Sequence, residues 1–359
     1  MLDSSSESSE AAASASVWLS ISEAEQRVIS ALITNRCNEA NAAAVAHALI
    51  SAEIDGQYGH GLSRVPSYSA QARVGKVDGF ATPEVEQVAP AAVRIDAAHG
   101  FAFPALDLAV AALPALARSE GIAIAAVHRS HHFGQAGRIV EQLAEAGMMS
   151  LMFGNSPKAM AFWGGKEPRL GTNPIAFACP LQKGPPLVID LALSTAARGK
   201  VVTASKQGKS IPEGWALDSS GQPTTDPEAG LKGSMLPIAG SKGAALALIV
   251  ELLAAGIAGS HFGWEASSVL DDKGAAPNLG QIIIAIDAQH VSGGAFAQRA
   301  AALLQAFGEE PGVRLPGTSR LARRAAAFRD GIEVAPNLLA EIDQLAARTL
   351  SSNPDSKHG

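Results

Sequence analysis

The sequence predicts an α+β protein in which helices occupy both ends of the chain and short strands occupy the middle. Apolar residues recur at helical spacing towards each terminus. Between these regions, short apolar runs are bounded by glycine, proline and asparagine, as is typical of buried strands. With 359 residues the chain is long enough for about two domains, and it contains no internal repeat.

The first ordered elements are expected to be helices. Residues 1–16 consist mostly of serine, alanine and glutamate and predict a disordered tail, not a signal peptide. Ser22 and Glu25 have the spacing of a capping box, so the first helix is expected to begin there. A second helix is predicted over residues 39–52. The glycine-rich residues 53–68 that follow predict a loop in which the backbone can approach a ligand closely.

Strands and helices then alternate along the middle of the chain. Helices are expected over residues 106–119 and 137–146, and a strand over residues 122–127 lies between them. Further strands are predicted over residues 149–153, 175–178, 187–190 and 282–286. Helices return over residues 295–307, 320–330 and 337–350.

Two longer segments have their own patterns. Residues 243–258 are apolar around the whole helix apart from Glu251, which predicts a helix buried on every side. Residues 207–233 are rich in glycine, proline, serine and aspartate and predict a long surface loop.

The composition excludes several classes of protein. Apolar residues make up 47% of the chain and charged residues 17%, which indicates a folded globular protein. A net charge of −6 offers no basic surface to nucleic acid. No apolar run is long enough to span a membrane. The two cysteines are too few for a disulfide framework, which favours a reducing, cytoplasmic location.

A histidine cluster follows the strand predicted at residues 122–127. His128, His131 and His132 precede Gly134, and neither a cysteine pair nor an H-E-x-x-H helix accompanies them, so no metal site is expected. We interpret His128 and His131 as hydrogen-bonded structural residues. His132 lies where the strand ends, a position from which a side chain can act as an acid or base.

Other side chains have chemistry suited to an acidic substrate. Arg64 can hold a carboxylate through two parallel hydrogen bonds, and His60 beside it can exchange a proton near neutral pH, although a surface ion pair remains an alternative for Arg64. Asp190 ends a strand and either caps a helix from Ser194 onward or orients a catalytic histidine. Lys242 precedes a helix and either contacts an anion or belongs to a capping loop.

The chain has neither the glycine pattern of a Rossmann nucleotide site nor a P-loop. A dinucleotide would therefore require another scaffold. The motifs that occur instead, in this order, are residues 59–64 (GHGLSR), 130–134 (SHHFG), 155–157 (NSP), 163–165 (WGG), 171–174 (GTNP), 190–194 (DLALS), 211–218 (IPEGWALD), 223–227 (PTTDP), 240–243 (GSKG) and 314–317 (RLPG).

With these motifs the sequence resembles the malate/L-lactate dehydrogenase family of nicotinamide oxidoreductases, which is unrelated to the Rossmann lactate and malate dehydrogenases. The resemblance extends from about residue 20 to residue 345. Residues 56–64, 262–268 and 274–287 are most similar to the branch that contains sulfolactate dehydrogenase and the piperideine-2-carboxylate reductases.

The resemblance implies a homodimer with a non-Rossmann cofactor domain built on a mixed, largely antiparallel sheet. It also implies a helical domain formed by both chain ends. The expected division is a helical part over residues 17–75, a cofactor domain over residues 76–294, a second helical part over residues 295–350, and a tail over residues 351–359.

The resemblance also implies roles for individual residues. The proton-transferring histidine would be His132 or His60, Arg64 would bind the substrate carboxylate, and Asp190 would belong to the catalytic hydrogen-bond network. NADP or NAD would contact His132, Gly134, Ser156, Thr172, Asp190, Leu191, Ala192, Lys242, Arg314, Pro316 and Gly317, without a metal.

One departure from the family concerns the choice of substrate. Many relatives have serine before the first histidine, whereas this chain has Gly59, so the relay proposed for imine reduction is incomplete. We therefore expect a dehydrogenase for a small 2-hydroxy acid such as sulfolactate, malate or lactate. The alternative is a reductase for a cyclic imino acid, and a catalytically silent nucleotide-binding relative is a third possibility.

Overall fold

The structure, a computed structural model, describes residues 16–348. The tails expected at residues 1–16 and 351–359 lie outside the described residues, apart from Ser16. The helices are α1 Ile21–Thr34, α2 Glu39–Ile54, α3 Val65–Val74, α4 Ala102–Glu120, α5 Ala136–Glu145, α6 Arg198–Lys206, α7 Pro227–Lys232, α8 Ser241–Glu251, α9 Ala288–Val291, α10 Phe296–Gly308, α11 Thr318–Asp330 and α12 Pro336–Ala346.

The strands form sheets of two, five and seven strands. They are β1 Val17–Leu19, β2 Glu84–Ala89, β3 Ala92–Asp96, β4 Ile122–Ser130, β5 Met149–Gly154, β6 Met160–Ala161, β7 Pro168–Leu170, β8 Ile175–Cys179, β9 Leu187–Leu191, β10 Ala216–Leu217, β11 Pro223–Thr224, β12 Ser234–Met235, β13 Leu279–Ile286 and β14 Ile332–Val334. The α+β class that the sequence predicts is confirmed.

The seven-stranded sheet is the centre of the protein. Its order is β2-β3-β4-β13-β5-β8-β9, and every neighbouring pair is antiparallel except β3 and β4. The expected mixed, largely antiparallel sheet is therefore present. β13 pairs with a strand on each side and most of its residues are buried, in agreement with a sequence that is apolar apart from the buried Gln281.

Helices α4 and α5 pack on the central sheet and complete its core. In α4, residues Ala105, Leu106, Ala109, Leu113 and Ala117 are fully buried against the sheet. By length and composition alone α4 is apolar enough to cross a membrane, but it is a core helix of this protein.

A second core joins the two ends of the chain. β1 pairs antiparallel with β14, and α1 packs along α12. Buried side chains from residues 19–77 and 332–345 form one hydrophobic cluster with Phe101 and Phe103. Helix α10 contributes no buried residue.

Three expectations from the sequence were wrong in detail. The capping box is formed by Ser20 and Glu23, so the first helix begins before Ser22. Two serine–glutamate pairs have the required spacing, and the structure uses the first. Residues 207–233 are not a featureless loop, because they contain β10, β11 and α7, which pack into the five-stranded sheet region.

The third correction concerns helix α8, which was expected to be buried on every side but is buried on only one. Gly243, Ala247 and Val250 face the interior, whereas the opposite face leaves the side chains of Leu246, Leu248, Ile249 and Leu252 between 42% and 56% exposed. The segment continues as a π-helix over Leu252–Ile257. An apolar sequence thus predicted the helix but not the environment of its outer face.

Candidate active site

The glycine-rich segment and the end of β4 bring two of the candidate histidines together. Two 3₁₀ turns, Tyr58–His60 and Leu62–Arg64, lead into α3. The imidazole rings of His60 and His132 stack with centroids 5.2 Å apart and an interplanar angle of 16°. Behind the turn, Glu53 accepts a hydrogen bond from the Leu62 amide at 2.7 Å, and this contact holds the loop against α2.

Arg64 is the cation of this group. Its Nε donates to the carbonyl of Gly59 at 2.6 Å, and its charge acts on both histidines. Burial lowers the pKa of His60 to about 4, and Arg64 adds to the shift. Burial also lowers the pKa of His132, with Arg64 again contributing. Both imidazoles are therefore neutral near pH 7 in the free protein.

Two residues of α3 that sequence reasoning missed contact the histidine cluster. Tyr68 Oη lies 2.5 Å from His132 Nδ1. Gln71 Oε1 lies 2.8 Å from His131 Nε2, while the Gln71 amide nitrogen donates to the Val269 carbonyl at 3.1 Å. Gln71 Oε1 must then accept from His131 Nε2–H. Burial lowers the pKa of His131 to about 3, so it is a neutral, hydrogen-bonded core histidine, in agreement with its expected structural role.

Asp190 lies at a different place from the histidines. Its Oδ2 accepts a hydrogen bond at 2.7 Å from the Gly137 amide, in the first turn of α5. It does not cap a helix from Ser194 onward, since α6 begins at Arg198. Among the described residues, Asp190 has no hydrogen bond with a histidine. Burial raises the pKa of Asp190 to about 6.

Asp190 instead lines a cavity of about 660 Å³. The predicted cofactor residues Arg314, Pro316 and Gly317 border the same cavity, together with Gln135 and Arg320. The buried Arg320 Nε and Gln135 Oε1 have no hydrogen-bond partner among the described residues. The cavity thus has unused donors and acceptors for a polar ligand.

A buried ion-pair network fixes one wall of this cavity, and sequence reasoning missed it. Arg320 and Arg324 lie one turn apart on α11, and both contact Glu141 and Asp55 at 2.7–3.3 Å. Gln135 also donates to Asp55. Burial alone would raise the pKa of Glu141, but the two arginines outweigh it and hold the pKa below its usual value.

Ser156 and Thr172 are brought together at neighbouring strand ends. The Thr172 amide donates to Ser156 Oγ at 3.0 Å. Behind them, the buried carboxylate of Glu251 accepts from the side-chain amides of Asn155 and Asn173 at 3.3 and 3.1 Å. Glu251, the one charged residue of the apolar segment 243–258, therefore stabilises the turns at Asn155 and at Asn173.

The remaining predicted cofactor residues are distributed around these sites. Lys242 is exposed in the first turn of α8. It follows Gly240, which has a positive φ of 63° and lacks the Cβ that would lie 3.1 Å from the Trp163 ring. Leu191 and Ala192 follow Asp190, and Leu191 is exposed. Gly134 has φ of 65° and packs against Phe103. Within residues 16–348, no cluster of histidine, cysteine, aspartate and glutamate is arranged to hold a metal ion.

The structure combines a neutral histidine pair beside a half-buried arginine with a cavity bordered by Asp190 and residues 314–317, on a non-Rossmann sheet. This combination suits an oxidoreductase that acts on an anion. The family model described as malate/L-lactate dehydrogenase matches residues 19–343. The chain belongs to this family and is a dehydrogenase of the 2-hydroxy-acid class.

Individual relatives are similar over nearly the whole chain. A (2R)-3-sulfolactate dehydrogenase (NADP(+)) from Chromohalobacter salexigens is 50% identical over 93% of this chain and 98% of its own length. A Δ1-pyrroline-2-carboxylate/Δ1-piperideine-2-carboxylate reductase from Pseudomonas putida is 43% identical over 86% of this chain and 91% of its own.

Solved structures of two further relatives have the same fold. A Δ1-piperideine-2-carboxylate reductase from Pseudomonas syringae superposes with a TM-score of 0.87 at 38% identity, over 92% of this chain and 99% of that one. The sulfolactate dehydrogenase of Methanocaldococcus jannaschii superposes with a TM-score of 0.84 at 29% identity, over 92% and 96% of the two chains.

Proposed function

We propose that this dehydrogenase interconverts 3-sulfolactate and sulfopyruvate, with NADP as the preferred cofactor. The observation that carries the proposal is the placement of Arg64 beside two neutral, stacked histidines. The 50% identical relative, named as an NADP-dependent sulfolactate dehydrogenase, supports this choice of substrate and cofactor. Malate and lactate are the next candidates within the same class.

Arg64 is proposed to hold the substrate carboxylate. Arg64 is half-buried, and among the described residues its guanidinium makes one hydrogen bond with protein, to the Gly59 carbonyl, so most of its donors remain for an anion. A carboxylate bound there also offsets the positive charge that lowers the pKa of His60 and His132. Substrate binding therefore makes it easier for a histidine to take up the proton that the reaction requires.

His60 or His132 is proposed to transfer that proton. In the reductive direction, the carbonyl carbon gains a hydride, the C=O bond becomes a C–O bond, and the histidine donates its proton to the oxygen. In the oxidative direction the same histidine removes the hydroxyl proton. Asp190 is proposed to position residues 132–137, because its carboxylate accepts a hydrogen bond from the Gly137 amide at the start of α5.

The cofactor is proposed to lie along the cavity bordered by residues 314–317. The unpartnered Arg320 Nε and Gln135 Oε1 fit a polar dinucleotide there. When bound, the nicotinamide supplies or accepts the hydride. The residues proposed to contact the cofactor are His132, Gly134, Ser156, Thr172, Asp190, Leu191, Ala192, Lys242, Arg314, Pro316 and Gly317.

Initial rates with sulfopyruvate, oxaloacetate, pyruvate and piperideine-2-carboxylate, each with NADPH and with NADH, test the proposal. We expect a 2-oxo acid to have a kcat/KM at least about tenfold above that of the imine, a difference of about 1.4 kcal/mol. A clear preference for piperideine-2-carboxylate would overturn the substrate assignment and leave the fold and family unchanged.

The second candidate function is reduction of a cyclic imino acid. The 43% identical reductase and the superposition on a piperideine-2-carboxylate reductase favour it. The glycine at position 59 disfavours it, because the serine hydroxyl of the proposed relay is missing. The same panel of substrates separates the two functions.

We further propose that the protein is a cytoplasmic homodimer. The exposed apolar face of α8 is a surface that a second copy would cover. Sedimentation velocity should give twice the monomer mass, and Ile249→Asp should shift the protein to monomers. The domain division at residues 75–76 and 294–295 is part of the same proposal. It is supported by the two separate hydrophobic clusters, although the cluster of the chain ends also includes Val77, Phe101 and Phe103 from beyond the first boundary.

A further inference from the structure

Tyr68 is fully buried in the hydrophobic core shared by the two chain ends, yet its hydroxyl reaches the candidate active site. Its Oη lies 2.5 Å from Nδ1 of His132, and among the described residues this is the only hydrogen bond of that hydroxyl. The residue His132 keeps 7% of its surface exposed. Its Nε2 makes no hydrogen bond with another described residue, so this nitrogen is free for a ligand.

The surroundings of Tyr68 leave its proton no other acceptor. The rings of Phe101 and Phe103 pack against it with centroids 5.4 and 6.4 Å away, and the His131 ring contacts it edge-on at 5.5 Å. Phenylalanine side chains accept no conventional hydrogen bond. The His131 Nε2 is already engaged by Gln71, and the buried His131 Nδ1 makes no hydrogen bond with Tyr68 or with any other described residue.

We propose that Tyr68 is a positioning residue that donates its hydroxyl proton to Nδ1 of His132 and so keeps the imidazole proton on Nε2. This inference rests on the proposed function only in giving His132 a role in the reaction. The reverse bond, from Nδ1–H to the tyrosine oxygen, would leave the phenolic O–H buried without an acceptor among the described residues, which is unfavourable.

The protonation states of the two side chains agree with this direction. Burial raises the pKa of Tyr68, so the phenol keeps its proton. Burial lowers the pKa of His132, so the imidazole is neutral near neutral pH and one of its two ring nitrogens can accept a hydrogen bond. The charged and titratable groups that act on His132 are Arg64 and His60 from the turns before α3, and the neighbouring His131.

The consequence is a difference between the two stacked histidines. His132 has a fixed tautomer and presents a neutral Nε2–H donor to a substrate oxygen. Because its Nε2 then has no lone pair to take up the substrate's hydroxyl proton, the proton transfer falls to His60 of the two proposed histidines. His60 has no equivalent partner, because its Nδ1 is buried without a hydrogen bond to a described residue. The tautomer of His60 is therefore not fixed in the same way.

Kinetics of Tyr68→Phe test the proposal, with Tyr58→Phe as the matched control. Tyr58 is the only other tyrosine of the chain and is exposed. We expect Tyr68→Phe to lower kcat about 10- to 100-fold with little change in KM, as removal of a residue that orients a functional imidazole does. Tyr58→Phe should retain wild-type kcat. Wild-type kcat in Tyr68→Phe would overturn the proposal and leave the proposed function intact.

Nitrogen NMR of the wild-type protein with ¹⁵N-labelled histidine tests the tautomer directly. The resonances of His132 are assigned by their loss in His132→Gln. We expect Nε2 to give the signal of a protonated ring nitrogen and Nδ1 that of an unprotonated one, and we expect the two signals to average in Tyr68→Phe. A proton on Nδ1 in the wild type would overturn the proposal. This measurement does not depend on activity, so it also decides the matter if the substrate assignment fails or the variant does not fold.

Discussion

His60 and His132 lie in parallel, with ring centroids 5.2 Å apart, although one belongs to a turn after α2 and the other follows β4. Two imidazoles that are this close cannot readily both be charged, least of all beside the Arg64 guanidinium. At most one of the two imidazoles therefore carries an additional proton. The negative charge of the anionic substrate favours uptake of this proton.

Replacement of either histidine should impair turnover without unfolding the protein. His60→Ala and His132→Ala should both fold, and at least one should lose about 10²- to 10⁴-fold in kcat, the usual contribution of a general acid. Steady-state kinetics and circular dichroism check this. His47→Ala is the control, because that side chain is exposed and lies outside the site. Wild-type turnover in both variants would place the acid elsewhere.

Arg64→Lys should weaken substrate binding although it retains the charge. An ammonium group cannot make the paired, planar contact with a carboxylate. We expect KM for the 2-oxo acid to rise about tenfold or more, with a smaller effect on cofactor affinity. Arg118→Lys, on the exposed end of α4, should leave KM unchanged. An unchanged KM in Arg64→Lys would remove Arg64 from the substrate site.

Asp190→Asn should change the pH dependence of stability. The carboxyl pKa is about 6 in the folded protein and near 3.8 when unfolded, so the folded state binds the extra proton between these values. The wild type should therefore lose stability relative to the variant as pH rises from about 4 to about 6, by about 1–3 kcal/mol in total. Urea unfolding of both proteins across this range measures the difference. A difference that is independent of pH would contradict the raised pKa.

Arg324→Ala should destabilise the protein strongly. The substitution leaves Asp55 and Glu141 with one arginine, and Asp55 is buried. Removal of one partner from a buried ion-pair network costs about 3–5 kcal/mol. Arg329→Ala, on the same helix but paired only with its exposed neighbour Asp330, should change the unfolding free energy by no more than about 0.5 kcal/mol. Equal effects in the two variants would show that the network contributes little.

Gly59→Ser should favour imine reduction. A Cβ at Gly59 would have no atom within 4 Å, so a serine can be accommodated without strain. The added hydroxyl restores the residue that relatives have before the first histidine, and kcat/KM for piperideine-2-carboxylate should rise relative to that for a 2-oxo acid. Gly59→Ala, which fills the same space without the hydroxyl, should leave the ratio unchanged. An unaltered ratio in Gly59→Ser would show that the missing serine does not determine the substrate.

Elements with a strong local pattern were predictable from the sequence. β4, α5 and β5 lie within a few residues of their expected limits, because alternation, apolar periodicity and glycine boundaries are properties of neighbouring residues. Strand β2 was not predicted, since all its residues are exposed and it carries no apolar alternation. Helix α3 was hidden by the glycine-rich segment before it and by Pro66, which the first turn of a helix accepts.

The candidate site was predictable only in part. The sequence indicated His60 and Arg64 by their place in a glycine-rich segment, and His132 by its place after a predicted strand. The partners that define the chemistry of these residues are set by tertiary structure. The contact between Tyr68 and His132 joins α3 to the end of β4, and Arg324 reaches Asp55 from near the other end of the chain. No local pattern specifies such pairs, because each residue alone is ordinary in its own segment.

The antiparallel pairing of β1 with β14 has a consequence for how the protein is made. Helices α1 and α2 have apolar faces whose partners, in β14 and α12, are synthesised much later. The helical layer therefore cannot close until β14 and α12 have left the ribosome, and its closure involves contacts of very long sequence separation, which slow folding. Until then, the nascent chain carries an exposed apolar surface of the kind that chaperones recognise.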